Sequence, residues 1–285
     1  MSKILTYDNR PLDTGHYNFI RYGYDDEWVP VTWANNKIPL YGKNVWKGKD
    51  DTTDEPVYYY NNGNPSYVLA SENTWVDKSW GGALSFFNGS WVWQGTDGVI
   101  YCSNGSGEQY SLTHNGNIYV WSTKRWKNSS GQEISFIRSV IWNDGVNDYF
   151  GNWYYRYNWQ TWYSKTWTGG PSPFYGGSIW KDNSGNIYYS NELNQYTVDT
   201  STSTFTAKTW NGFTPVYGKY VWHDLNGRIF YSDGSLQYEL EQSTSTWVPK
   251  TWPGLNSFDG ENVWNDGTNI YYSNGDAQFR LITVE

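Results

Sequence analysis

The chain has 285 residues, among them 20 Trp, 27 Tyr and 29 Gly but one Cys, and its formal net charge at pH 7 is −8. A single cysteine excludes an internal disulfide, and an acidic chain without clustered Lys or Arg lacks the electrostatic footprint of a nucleic-acid or anionic-membrane partner. Abundant aromatic residues, Gly and Asn favour strands and tight turns, and no run of 18 apolar residues predicts membrane insertion.

Residues 1–27 form a segment that is not repeated elsewhere in the chain. Side chains such as Leu12, Phe19 and Ile20 make it too apolar for a disordered tail. It begins without the apolar run of a signal peptide, so we expect a soluble protein that is cytoplasmic in the producing cell or virion-associated. We interpret residues 1–27 as an N-terminal extension that anchors the chain to a protein partner or larger assembly.

Residues 28–285 consist of divergent repeats. A β-branched residue followed by a marker Trp recurs at intervals of 38 to 49 residues, and each marker opens a set of short alternating strands separated by Gly, Asn and Asp turns. Repeats of this length with four strands each are typical of β-propeller blades. The six markers are Val45-Trp46, Val92-Trp93, Ile141-Trp142, Ile179-Trp180, Val221-Trp222 and Val263-Trp264.

The sixth copy stops before a fourth strand, and a match to the missing strand lies near the N-terminus. Residues 28–33 match residues 247–252 of the fifth copy at every position except Val31, where the fifth copy has Lys250. Pairing the two ends would close the ring and remove its free sheet edges. The sequence therefore predicts an all-β fold: a single six-bladed β-propeller of four-stranded antiparallel blades, closed by an N-terminal strand.

The fifth copy resembles the kelch repeat. The segment 229–234, Ile-Phe-Tyr-Ser-Asp-Gly, is similar to the second strand of that family, which ends in a double Gly, and Tyr238 and Trp247 are similar to its characteristic Tyr and Trp. The resemblance extends over residues 28–285 and implies the propeller fold, but several copies have Ser-Asn-Gly or Ser-Asp-Gly in place of the double Gly. It implies little about function, because one fold hosts many activities.

Some kelch-like propellers are copper radical oxidases, so the resemblance draws attention to Cys102 and to His16, His114 and His223. Cys102 occupies a position where other copies have a strand Tyr, and the histidines are dispersed over the sequence. We interpret Cys102 as a strand residue and predict neither a metal nor another cofactor, since metal sites need convergent ligands.

Carboxylates are the candidate catalytic groups for glycoside hydrolysis, which needs two that face each other across a pocket. Four of them recur after the marker Trp, where capping of a turn explains them: Asp144, Asp182, Asp224 and Asp266. Asp259 and Glu261 are not repeated and form the one pair that this explanation leaves open. A carbohydrate-active enzyme of the sugar mutarotase or glycosidase type is therefore the alternative to a binding protein.

Aromatic residues in the connections between blades are the first candidates for a binding rim around the channel mouth. Rings beside Asn, Ser and Gly suit the apolar faces and hydroxyl edges of sugars, and equally suit a protein partner. Packing at the start of each inner strand is the competing interpretation. The residues lie five or six positions before their marker Trp: Tyr41, Phe87, Phe136, Tyr175, Tyr217 and Phe258.

The third copy departs most from the repeat. Residues 150–159 replace the usual turn and strand with an aromatic run that contains Trp153 and Arg156. This composition is typical of a binding hot spot, although a locally tightened blade would also explain it. Together these features favour a non-enzymatic binding propeller for a protein or glycan, in the setting of a virion or phage surface appendage, with a purely structural subunit as a further possibility.

Overall fold

The computed structural model describes residues 25–34, 40–63, 66–84, 86–103, 108–136, 138–151, 154–157, 161–171, 174–214 and 216–284. These residues form strands, turns and short 3-10 segments, and they include no helix long and apolar enough to cross a membrane. The strands group into six antiparallel sheets, which confirms the predicted six-bladed β-propeller. The blades are numbered one to six in the chain order of their marker Trp residues.

The marker Trp lies in the first, inner strand of its blade, and the second strand returns antiparallel to it. Both strands are short because Gly, Asn and Asp turns end them after a few residues. The inner strands are Val45–Lys49, Val92–Gln94, Ile141–Asn143, Ile179–Lys181, Val221–His223 and Val263–Asn265. The second strands are Pro56–Gly63, Ile100–Ser103, Asp148–Phe150, Ile187–Ser190, Ile229–Ser232 and Ile270–Gly275.

Two outer strands complete each meander. The third strands are Ser66–Ser71, Gln109–Asn115, Tyr154–Tyr157, Gln195–Asp199, Gln237–Glu241 and Ala277–Val284. The fourth strands are Thr74–Asp77, Ile118–Thr123, Thr161–Ser164, Thr204–Ala207, Thr246–Pro249 and, for blade six, Asp25–Pro30. Short strands in the connections are Leu40–Tyr41, Gly81–Gly82, Phe87–Asn88, Trp126–Asn128 and Glu133–Ile134.

The ring is closed by the strand that precedes the first repeat. Asp25–Pro30 pairs antiparallel with Ala277–Val284, from Asp25 opposite Val284 to Pro30 opposite Phe279. Asp26 is buried and forms an ion pair with Arg228 of blade five, with 2.6 Å between Oδ2 of Asp26 and Nη2 of Arg228. The predicted closure is thus confirmed. The strand begins at Asp25, so residues 25 to 27 belong to the propeller and not to the predicted extension 1–27. Residues 1 to 24 lie outside the described part of the chain.

Six aromatic clusters, one between each pair of neighbouring blades, form the core. Between blades five and six, the ring centroids of Trp222 and Trp252 are 5.6 Å apart with the rings tilted by 36°, and the ring of Trp28 in the closing strand lies 6.1 Å from that of Trp222. The marker Trp residues are 5–7% exposed, which confirms that they belong to the core. In five blades the indole N–H donates to a side chain of the second strand, as from Trp180 to the Ser190 hydroxyl at 3.0 Å, and Trp142 donates to the carbonyl of Gly151 directly after that strand.

A lysine covers the second Trp of five blades. Lys250, for example, lies two residues before Trp252 with its Nζ 4.8 Å from the ring centroid, a cation–π contact. Blade six has Val31 at the equivalent position. The other four pairs, at 4.4 to 5.1 Å, are Lys78–Trp80, Lys124–Trp126, Lys165–Trp167 and Lys208–Trp210.

The recurrent aspartates cap the turn between the first and second strands. Asp182 accepts the backbone N–H groups of Ser184 and Asn186 at 3.0 and 2.8 Å and the hydroxyl of Tyr188 at 3.1 Å. Burial together with the charge of Asp182 raises the pKa of Tyr188 to about 12. The same backbone bonds recur at Asp144, Asp224 and Asp266, so the predicted turn role is confirmed.

Candidate functional site: a cavity on the propeller axis

A ring of six 3-10 turns surrounds the axis at the start of the inner strands. Each turn occupies the three residues before the β-branched partner of a marker Trp, and each contacts the next turn until the sixth meets the first. The turns are Gly42–Asn44, Gly89–Trp91, Arg138–Val140, Gly176–Ser178, Gly218–Tyr220 and Gly260–Asn262.

Glycine begins five of the six turns because the turns pack tightly around the ring. A Cβ at Gly218 would overlap the carbonyl of Ser178, the last residue of the preceding turn, and a Cβ at Gly260 would overlap the carbonyl of Tyr220. Only a residue without a side chain fits such a close backbone approach. The third turn is the exception, because it begins with Arg138.

The second residue of each turn lines a cavity of about 760 Å³ on the axis. That volume lies within the range of small-molecule sites. Five of these six residues are exposed and Lys219 is half-buried, so the cavity is open to solvent. In blade order the six are Lys43, Ser90, Ser139, Gly177, Lys219 and Glu261.

Arg138 is half-buried in the wall of this cavity. Its Nε donates to the carbonyl of Val92 at 3.1 Å and its Nη1 donates to the carbonyl of Ile141 at 3.0 Å, so the guanidinium is fixed between the inner strands of blades two and three. Burial lowers the pKa of Arg138. None of the ion pairs among the described residues includes Arg138.

The turn of blade five carries a second cation among aromatic rings. The Nζ of Lys219 lies 4.9 Å from the ring centroid of Tyr217 and 4.5 Å from that of Tyr220. Burial lowers the pKa of Lys219, but its hydrogen bond to Tyr220 and the nearby charge of Glu261 outweigh burial, and the net pKa is raised. Tyr175, 60% exposed, and half-buried Trp91 add two further rings to the lining.

The six aromatic residues of the predicted rim lie in three different places. Tyr175 and Tyr217 line the cavity, whereas Tyr41 is half-buried and lies outside that lining, in a strand paired with Ile270–Gly275. The other three are at most 1% exposed and pack within the blade interfaces, where a ligand cannot stack on them: Phe87, Phe136 and Phe258.

A one-residue difference in position separates the three buried Phe residues from the three Tyr residues. The residue six positions before the marker Trp is fully or almost fully buried in every blade, as are Phe174 and Val216, which directly precede Tyr175 and Tyr217. Extended backbone directs successive side chains to opposite sides, so a shift of one residue exchanges core for cavity. The sequence-based rim combined both positions, and it missed Lys43, Arg138 and Lys219 in the turns that follow.

The remaining candidates lie apart from the cavity or outside the described chain. Trp153 is outside the described residues, and Arg156 is placed only as part of the strand Tyr154–Tyr157. Cys102 is fully buried in the second strand of blade two, as predicted, and burial raises its pKa to about 12. Of the unrepeated carboxylates, Glu261 lines the cavity and Asp259 does not.

The described part of the chain contains no group of three His, Cys, Asp or Glu residues that could hold a metal ion. Among the described residues that line the cavity, the one carboxylate is Glu261, and none is histidine. The lining thus combines cations, aromatic rings and hydroxyl groups, which suits recognition of a polar ligand through stacking and hydrogen bonds.

No protein-family model matches the chain, and no curated protein sequence matches it significantly. Among solved structures, the extracellular domain of the putative hybrid two-component system BT4673 from B. thetaiotaomicron is similar at 12% identity and a TM-score of 0.52, covering 90% of this chain and 39% of that one. An auxiliary nutrient binding protein from Bacteroides ovatus is similar at 10% identity and a TM-score of 0.50, covering 92% and 78%.

Virginiamycin B lyase from Staphylococcus aureus aligns at 10% identity and a TM-score of 0.49, over 91% of this chain and 100% of that one. This chain spans about two fifths of the BT4673 chain. The matches leave the kelch resemblance a hypothesis. At such low identity the similarity to solved structures establishes the fold alone, and that fold is the β-propeller.

Proposed function

We propose that this protein is a non-enzymatic recognition propeller that binds a glycan in its axial cavity. The observation that carries the proposal is the lining itself: an open cavity of about 760 Å³ in which Trp91, Tyr175 and Tyr217 stand among serine hydroxyls and cationic side chains. Rings that line an open cavity accept the apolar face of a sugar, while hydroxyl and ammonium groups bind its edges.

The composition of the lining also supports binding over glycoside hydrolysis. Hydrolysis by the usual mechanisms requires a pair of carboxylates across the scissile bond. Of the described residues lining the cavity, Glu261 is the single carboxylate, and Asp259, its candidate partner in the sequence, lies outside. A lone carboxylate is sufficient to accept hydrogen bonds from sugar hydroxyls.

A glycan array with the full chain and two variants tests this proposal. We expect Tyr175→Ala and Tyr217→Ala each to weaken binding about tenfold, equivalent to ~1.4 kcal/mol of lost contact. Tyr163→Ala is the matched control, because Tyr163 is an exposed aromatic in the fourth strand of blade three and does not line the cavity. Absence of glycan binding, or an equal loss for Tyr163→Ala, would refute the proposal.

We further propose that the segment before Asp25 attaches the propeller to a protein partner in a larger assembly, such as a virion or phage appendage. The strand that follows this segment is built into blade six by backbone pairing and by the Asp26–Arg228 ion pair, so it provides a firm point of attachment. A pull-down from the source particle with the full chain, but not with a chain starting at Asp25, would support this. Equal capture by both chains would contradict it.

A further inference from the structure

We propose that the glycan recognised in the axial cavity is a carboxylated saccharide, whose acidic group binds Arg138. This inference rests on the proposed function and specifies the chemical class of its ligand. Four features support it: the charge of the lining, the position of Arg138, the fixed geometry of its guanidinium, and the rings on either side.

The charge of the cavity is opposite to that of the protein as a whole. The chain carries a formal net charge of −8, yet the lining includes three cations, Lys43, Arg138 and Lys219, and one carboxylate, Glu261. Cations gathered in a concave site attract an anion and raise its local concentration. The cavity therefore selects for a negatively charged ligand in a protein that otherwise repels one.

Arg138 occupies a position where the repeat has glycine. Every other turn begins with Gly because the neighbouring backbone leaves no room for a side chain, so the architecture alone does not call for arginine here. Arg138 is half-buried as a residue, and its guanidinium has no carboxylate partner among the ion pairs of the described residues. A partly desolvated cation without a counter-ion is unfavourable until an anion binds beside it.

The guanidinium of Arg138 is fixed in orientation before any ligand arrives. Its bonds to the carbonyls of Val92 and Ile141 use two of its five N–H groups, and the hydrogen bonds among the described residues leave the other three for a ligand. A planar guanidinium held in this way suits a planar carboxylate, which accepts two parallel hydrogen bonds. Because its orientation is already set, little entropy is lost on binding.

Aromatic rings on both sides of Arg138 favour a sugar acid over a simple anion. The turns of blades two and four are its neighbours around the ring; the first ends with Trp91, and Tyr175 directly precedes the second. Both rings line the same cavity as Arg138, together with the hydroxyls of Ser90 and Ser139. Phosphate or sulfate would use the cation alone, whereas a sugar acid uses the cation, the rings and the hydroxyls.

Isothermal titration calorimetry of the full chain tests the inference by comparing ligands with and without the carboxylate charge. The probes are a galacturonic acid trisaccharide and sialyllactose, each compared with its methyl ester, which keeps the sugar and removes the charge. We expect at least one acid to bind tenfold or more tightly than its ester in 50 mM NaCl, with a smaller difference in 500 mM NaCl because salt screens the charges. Equal binding of acids and esters would overturn the inference.

Changes on the protein assign the effect to Arg138. Arg138→Gln should abolish the preference for the acid, and Arg138→Lys should retain only part of it, since an ammonium lacks the planar pair of donors. Arg125→Gln is the matched control, because Arg125 is 71% exposed, pairs with Glu133 and does not line the cavity. If Arg138→Gln fails to fold, the comparison of acid and ester with the unaltered protein still decides the outcome.

The failure of this inference can be distinguished from failure of the proposed function. Neutral glycans that bind through Tyr175 and Tyr217 with no advantage for acids would leave the proposed function intact and refute the carboxylate assignment. Binding of sulfated sugars or inorganic phosphate without binding of carboxylated sugars would refute it as well. If no saccharide bound at all, both the proposed function and the carboxylate assignment would be refuted.

Discussion

The lysine over the second Trp in five of the six blades is a contact whose contribution can be measured at one residue. Lys250 lies 4.8 Å from the centroid of Trp252, and a cation over an indole contributes about 0.5–1 kcal/mol at a partly exposed site. We expect Lys250→Met, which keeps the aliphatic stem, to lower the free energy of unfolding by that amount in urea denaturation. Lys127→Met, at an exposed lysine, should change it little; equal losses would contradict the cation–π assignment.

The buried thiol of Cys102 makes stability depend on alkaline pH. Burial raises the pKa of Cys102 from 9.0 to about 12, so the neutral thiol is favoured in the folded state. This contribution is complete below pH 9 and is lost as the pH rises towards 12, at up to ~1.4 kcal/mol per pH unit. We expect unfolding midpoints in urea to fall more steeply over this range for the unaltered protein than for Cys102→Ala.

The comparison of these two proteins isolates the thiol. Tyr60 and Tyr188, whose pKa values burial raises to about 12, ionise over the same range in both proteins and cancel in the difference. Parallel curves for the two proteins would show that Cys102 ionises alike in the folded and unfolded states.

At the scale of the structural element, the connection between blades depends on a glycine that touches the next blade. Gly212 has a φ of +80°, and a Cβ there would overlap the carbonyl oxygen of Trp247. Gly82, Gly169 and Gly254 have the same contact with the next blade. The connection must therefore run close along the fourth strand of the following blade before it turns towards the axis.

Substitution of Gly212 measures how much this approach matters. Gly212→Ala should destabilise the protein by about 2–4 kcal/mol, through a left-handed backbone and a backbone overlap. The matched control is Gly185→Ala, which also has a positive φ, +83°, but open space around its Cβ, so about 1–2 kcal/mol is expected. Equal shifts of Tm would show that backbone conformation alone explains the effect.

The inner strand and the 3-10 turn before it show what the sequence can and cannot predict about the site. The marker Trp and the strands after it were predictable because their alternation recurs in each copy. The cavity was not predictable, because many of the residues that line it lie in the 3-10 turns. In these turns the recurrent residue is Gly, whereas the residue that determines the chemistry of the cavity is the variable one after it. Taking the position three residues before each marker Trp would have identified Lys43, Lys219 and Glu261; Arg138 would have been identified as the missing Gly.

At the scale of the whole molecule, ring closure depends on a strand distant in sequence from its partner. It was predictable because residues 28–33 repeat the Trp pattern of residues 247–252, and the structure shows why both Trp residues matter: Trp28 packs with Trp252 and Phe258, and Trp33 with Trp75 of blade one. The start of the strand at Asp25 was not predictable, because residues 25–27 carry no repeated residue.

Truncation tests the closure directly. A chain starting at Asp25 should keep the Tm of the full chain, whereas one starting at Ala34 lacks the closing strand and should melt at a lower temperature and self-associate through the exposed edge of Ala277–Val284. A peptide of residues 25–33 added in trans should restore the Tm. A chain starting at Ala34 that stays monomeric with an unchanged Tm would contradict the role of this strand.

The ring of six turns has one backbone geometry but six different arrangements of side chains. Because Arg138 occurs in one turn only, the near-sixfold frame offers a single binding orientation, and the proposed site has a valency of one ligand per chain. Firm attachment to a surface that displays many copies of a saccharide would then come from several chains held together, since each further contact forms at a high effective concentration. The strength of such an attachment would be determined by the number and spacing of the chains in the assembly.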